Sequence, residues 1–133
     1  SSHQIISYAV FCLKKKKFSK SISKNDKYFS IRNSHAIILF EANINNPNDN
    51  LDIRRQLDNS MEILEKCFNA DKRKVFHAVR YAEQSIEYLN RYYDKKALSY
   101  VETAKLWLRS EYQQRNWDRE LQNLLNKIEK IKL

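Results

Sequence analysis

The chain has 133 residues, a formal net charge of +9, 42% apolar residues, one proline and no glycine. This length can enclose a core without metal or disulfide staples. The missing glycine excludes phosphate-binding loops and dinucleotide fingerprints, which are built on it. Long helices joined by polar turns have no such need, so the composition predicts an all-α protein folded as a single domain.

Taken in chain order, residues 4–13 form a short apolar run, read as a helix from the helical context. It is too short to span a membrane, and its basic cluster follows rather than precedes it, so it is no secretory signal. A Lys- and Ser-rich connector covers residues 14–27. A helix is expected over 27–45, followed by the loop Asn45-Asn46-Pro47-Asn48-Asp49-Asn50, rich in turn formers. A helix over 51–68 carries Leu57, Met61, Leu64 and Phe68 on one stripe. Asn69-Ala70-Asp71 closes it, with Asp71 expected to cap the next helix, 72–92. That helix aligns Val75, Val79, Ala82, Ile86 and Leu89. A break at Tyr93-Asp94 leads to a helix over 95–113. A terminal amphipathic helix over 116–131 carries Trp117, Leu121, Leu124, Leu125, Ile128 and Ile131.

The order of these segments contains an internal similarity. His35-Ala36-Ile37 recurs as His77-Ala78-Val79, at an offset of 42. Leu39 meets Tyr81, Glu41 meets Glu83 and Ile44 meets Ile86 at the same offset. With two residues of slippage, Leu57-Asp58 pairs with Val101-Glu102, Ser60 with Ala104, Ile63 with Trp107 and Leu64 with Leu108. Two helices recurring in order predict antiparallel helical hairpins stacked as a short array of five to six helices. Residues 1–26 precede two hairpin repeats over 27–113, and residues 114–133 form a capping helix.

The second unit, over residues 78–111, resembles a tetratricopeptide repeat. Tyr81, Ser85 and Tyr88 stand at the family's large-aromatic, small and tyrosine positions on the first helix. Ala97, Val101 and Ala104 stand at its alanine, bulky apolar and alanine positions on the second. Tyr93-Asp94-Lys95-Lys96-Ala97 is similar to the family's turn. The usual glycine is Ser85, and Arg109 stands where a closing proline would be, which leaves a longer HEAT-like repeat as the alternative. The strings Ser30-Ile31-Arg32-Asn33-Ser34-His35-Ala36-Ile37-Ile38-Leu39-Phe40-Glu41-Ala42-Asn43 and Asp71-Lys72-Arg73-Lys74-Val75-Phe76-His77-Ala78 resemble a second family. They are similar to helical repeats at the C-terminal ends of large bacterial signalling or defence ATPases. That resemblance implies a docking or sensing fragment of a larger protein, and a chain opening Ser-Ser-His fits a fragment.

No catalytic apparatus is expected. The three histidines and two cysteines lack the local clustering that a metal site needs. No nucleophile sits in a recognisable context, and no cofactor motif is present. His35 and His77 read as packing or hydrogen-bonding residues, and Cys12 and Cys67 as buried free thiols of a cytoplasmic protein.

Binding is the expected role. Residues 1–34 hold eight basic residues and one acid, whereas residues 35–133 hold seventeen basic and fifteen acidic residues. Arg32 and Asn33, with Lys72, Arg73, Lys74 and Arg80 around the start of the second unit, are the candidates for contact with a protein partner or another part of a parent chain. Positive charge at a helix start opposes the helix dipole unless something acidic meets it. The alternative is nucleic-acid binding, with Lys14, Lys15, Lys16 and Lys17 neutralising phosphates and Tyr28 stacking on bases. A third reading uses the Trp117–Ile131 stripe for oligomerisation.

Overall fold

The computed structural model describes residues 24–132, which fold into five α-helices with no strand. The expected helix over 4–13 and the run Lys14–Lys17 lie outside the described residues. In chain order the helices are α1 (Lys24–Ile44), α2 (Leu51–Ala70), α3 (Lys74–Tyr92), α4 (Lys95–Gln114) and α5 (Arg119–Glu129). Contacts divide the chain into two compact units, one ending at Lys72 and the other running from Arg73 to the C-terminus.

In the first unit α1 packs against α2. The buried positions of α2 are Ile53, Leu57, Ser60, Met61, Ile63, Leu64, Cys67 and Phe68, which include the expected stripe of Leu57, Met61, Leu64 and Phe68 and widen it by Ser60, Ile63 and Cys67. They meet Ala36, Phe40 and Ile44 of α1 in the core. Removing side chains the size of Leu57, Met61 or Leu64 from water contributes roughly 1.5–3 kcal/mol each. The two helices approach closely where small residues face one another. The Ser60 hydroxyl donates to the Ala36 carbonyl at 2.6 Å. Asn50 starts α2, its side chain accepting from the Ile53 amide at 2.9 Å.

In the second unit α3 packs against α4, and α5 packs on both. Tyr81, Tyr88, Ala97, Val101, Ala104 and Leu108 are buried, as is Ser85. All six positions that carry the tetratricopeptide resemblance therefore lie in the core of this unit. Tyr81, Tyr88, Tyr100 and Trp107 build an aromatic cluster, with Tyr88 and Tyr100 edge-to-face at 5.1 Å and Tyr81 and Trp107 at 4.5 Å. The Ser85 hydroxyl is satisfied by the Ala82 carbonyl of its own helix at 2.8 Å. That leaves the residue compact enough for close packing.

The α3–α4 turn has only two residues, and in this glycine-free chain Tyr93 must take the left-handed conformation that ends α3. Its φ is 42°, and its amide donates to the Leu89 carbonyl at 2.9 Å. Asp94 then caps α4, accepting from the Ala97 amide at 3.0 Å. Asp118 does the same for α5 through the Leu121 amide at 3.1 Å.

Three expectations are corrected. Asp71 does not cap α3. It is buried and closes α2, its amide donating to the Cys67 carbonyl at 2.8 Å, and Arg73 takes the cap position of α3 with no side-chain cap. His35 and His77 are not equivalent. His77 is fully buried, whereas His35 is exposed because it lies on the far side of α1 from its buried stripe. The terminal stripe is not a free face. Leu121 and Ile128 are consumed inside the second unit, and Trp117 precedes α5 altogether.

α5 is fastened to α4 by two polar contacts besides its apolar side. The Lys105 ammonium donates to the Ile131 carbonyl at 2.6 Å. Arg109, at the position where the family pattern closes with proline, forms a bidentate pair with Glu129 whose second arm is 2.8 Å long.

Candidate interaction surface

α1 is apolar on two sides, and only one of them is used by α2. Ser30, Asn33, Ser34, Ala36, Phe40 and Ile44 are its buried positions. Tyr28, Ile31, His35, Ile38 and Ala42 follow one another at alternating steps of three and four, the a/d spacing of a helix-pairing seam. Tyr28 is 56% and Ile31 57% exposed, His35 and Ala42 are exposed, and Ile38 is partly covered. Within this row the large apolar side chains that stand in water are Tyr28 and Ile31, one turn apart. Two large apolar side chains exposed side by side on one helix face make this row a candidate contact surface.

Arg32 borders that seam and is partly buried. It also lies close enough to Cys67 for its charge to favour the thiolate, although burial dominates and pushes the Cys67 thiol up to about 11. The carboxylate of Asp71 acts in the same direction as burial. Cys67 is thus a free, buried thiol whose Sγ faces the Phe29 carbonyl at 3.9 Å. Asn33 does not share a surface with Arg32. It is fully buried on the side of α1 that faces the core, which corrects its place among surface candidates.

The remaining basic candidates divide between the units. Lys72 is exposed at the end of the first. Arg73, Lys74 and Arg80 belong to α3 and its entry, where the first turn holds no acidic residue. Lys74 is exposed, and Arg80 reaches Glu83 at 4.0 Å. Tyr28, the candidate for stacking on bases, is exposed at the head of the outer row of α1 and meets Phe29 edge-on at 5.2 Å.

The unit boundary also relocates the charge. Residues 24–72 hold seven basic and eight acidic residues, and residues 73–133 hold thirteen basic and eight acidic ones. The second unit therefore carries +5 and the described part of the first −1. Among the described residues, no group of three His, Cys, Asp or Glu side chains could hold a metal ion. No helix there is long and apolar enough to cross a membrane.

Sequence reasoning passed over the α1 seam. Its signal was the 3–4 spacing from Tyr28 to Ala42. A helix that is apolar on both sides has no single dominant stripe, so periodicity alone does not say which side the core will take. No protein-family model, curated protein sequence or solved structure matches this chain.

Proposed function

We propose that the chain is a non-catalytic helical-repeat module that binds a protein partner, or another segment of a larger bacterial parent protein, through the outer face of α1. The observation that carries this reading is the outer row of α1, where Tyr28, Ile31, His35 and Ala42 are exposed and Ile38 is partly covered. Its a/d spacing suits an incoming amphipathic helix, whose apolar residues would enter between these side chains as knobs into holes. Arg32 flanks the seam and can select an acidic residue on the partner helix.

The repeat reading has support of its own. α2 and α4 are both 20 residues long and start 44 residues apart, from Asn50 and Asp94 caps of the same geometry. Their buried positions correspond at Leu57 and Val101, Ser60 and Ala104, and Leu64 and Leu108. A helical repeat of this type supplies rigid, exposed helix faces, and the reading needs no catalytic group.

A photo-crosslinking residue placed at Tyr28 in cells tests the proposal. The expected result is a crosslink to a helical segment with apolar residues at 3–4 spacing, lost when Ile31→Glu is added. A crosslink pattern indifferent to Ile31→Glu, or no specific adduct at all, overturns it. A crosslink between two copies of the chain identifies the partner helix as its own α1.

A further inference from the structure

The two turns of the second unit share a five-residue pattern: Arg91-Tyr92-Tyr93-Asp94-Lys95 before α4 and Arg115-Asn116-Trp117-Asp118-Arg119 before α5. In each, the central residue is an exposed aromatic. Tyr93 is 71% exposed and Trp117 is 73% exposed. In each, the aspartate side chain accepts from a helix amide, Asp94 from Ala97 and Asp118 from Leu121. Along the sequence a basic residue stands two positions before the ring and another two positions after it, and Arg91 lies over the neighbouring Tyr92 ring at 5.4 Å. Lys95, Arg115 and Arg119 are exposed and Arg91 is partly so, with Lys96 adding a further exposed cation beside Tyr93. The matching turn of the first unit, Asn48-Asp49-Asn50-Leu51, has neither ring nor cation.

We infer that these two turns are a pair of contact points for single-stranded nucleic acid, a base stacking on Tyr93 or Trp117 while the flanking Arg and Lys side chains meet the adjoining phosphates. An exposed ring with basic residues on either side along the sequence matches the alternation of base and phosphate along a strand. Stacking is tolerant of base identity, because every base offers a π-face. The charge balance agrees, since the second unit carries the +5 excess. Two of its eight acids are the helix caps, Glu129 is tied to Arg109 and Glu111 is buried. The two rings stand at opposite ends of the 20-residue helix α4, about 30 Å of helix apart. Occupying both takes a strand longer than a few nucleotides, and the second contact then adds to the first through effective concentration.

The test is fluorescence anisotropy of a labelled, mixed-sequence 20-nucleotide single-stranded DNA with the full 133-residue chain at low and physiological salt. Tyr93→Gly and Trp117→Ala are each expected to weaken binding about tenfold (about 1.4 kcal/mol), and together about a hundredfold. Tyr93→Phe and Trp117→Phe should stay within about threefold of wild type. Tyr93→Gly suits the left-handed backbone, so its loss of binding is separable from misfolding, and circular dichroism melts check this for every variant. A four-nucleotide probe, about 14 Å long at 3.4 Å per nucleotide, should bind weakly and show no additive loss in the double variant. Absence of binding at low salt overturns the proposal. So does binding that survives both aromatic variants but disappears when Lys14–Lys17 become alanine. Binding to phosphatidylserine vesicles that the DNA does not compete away points instead to a membrane surface, and overturns it as well.

Discussion

The Ser60 hydroxyl donates to the main-chain carbonyl of Ala36 at 2.6 Å, joining α2 to α1 at the point where both helices carry their smallest core side chains. The pairing explains why the first hairpin closes without glycine. Ser60→Ala keeps the close approach and loses one neutral hydrogen bond, so it should cost about 1 kcal/mol. Ser60→Leu forces the helices apart and should cost roughly 1–3 kcal/mol or more. Urea unfolding curves of the two variants against wild type measure the difference, and a larger loss for alanine than for leucine would contradict this account.

Cys67 should be inert in the folded protein. Its thiol is buried and pushed up to about 11 from the ordinary 9.0, so the native state holds the proton more tightly than the unfolded chain. Stability from this source is complete below pH 9 and is lost as pH rises from 9 toward 11. Alkylation at pH 8, followed by mass spectrometry of the Cys67 peptide, should label it only in denaturant. Cys67→Ser or Cys67→Ala should flatten the alkaline part of the stability profile.

Tyr93 stands in a left-handed conformation that glycine occupies without steric penalty. Replacing it with glycine should therefore raise the stability of the α3–α4 hairpin by about 1 kcal/mol. Thermal melts followed by Trp107 fluorescence report it, and a fall in melting temperature would argue that the Tyr93 ring contributes to packing after all.

Arg109 and Glu129 hold the C-terminal helix to α4 from the surface. The guanidinium holds the Glu129 carboxyl below the usual carboxylate range, chiefly by hydrogen bonding. The contribution is present above the ordinary carboxylate pKa and lost as pH falls through the lowered one. Amide exchange in α5 should accelerate in acid in wild type, while Glu129→Gln should exchange faster already at neutral pH. Because both side chains are largely exposed, raising salt should weaken the effect.

Tyr88 and Tyr100 meet edge-to-face at 5.1 Å in the core of the second unit. A double-mutant cycle to leucine at both positions should give a coupling of about 0.5–1.5 kcal/mol. Additive losses would mean that burial alone, and not ring geometry, accounts for the tyrosine at that position of the repeat pattern.

The helical class and the spans of α1 to α4 were legible in the sequence to within a few residues. Missing glycine, the polar loop before Asn50 and the 3.6-residue stripes act locally, on the chain nearest to them. The core of α2 could be read from its own stripe, whereas the buried positions of α4 were reached through the tetratricopeptide resemblance and the internal repeat. The terminal helix was placed three residues early, because Trp117 fits its stripe by spacing and only the Asp118 cap shows where the helix begins.

What the residues by themselves determined is the set of helices and the stripe that each offers for burial, since both follow from backbone propensity and side-chain spacing. Tertiary structure alone decided which of two apolar sides of α1 is spent on α2, and so that Asn33 is core while Tyr28 and Ile31 face water. It also decided that Asp71 turns back to close α2, and that Lys105 and Arg109 reach the end of α5. These outcomes depend on which surfaces meet across distant parts of the chain, and no local pattern carries that information.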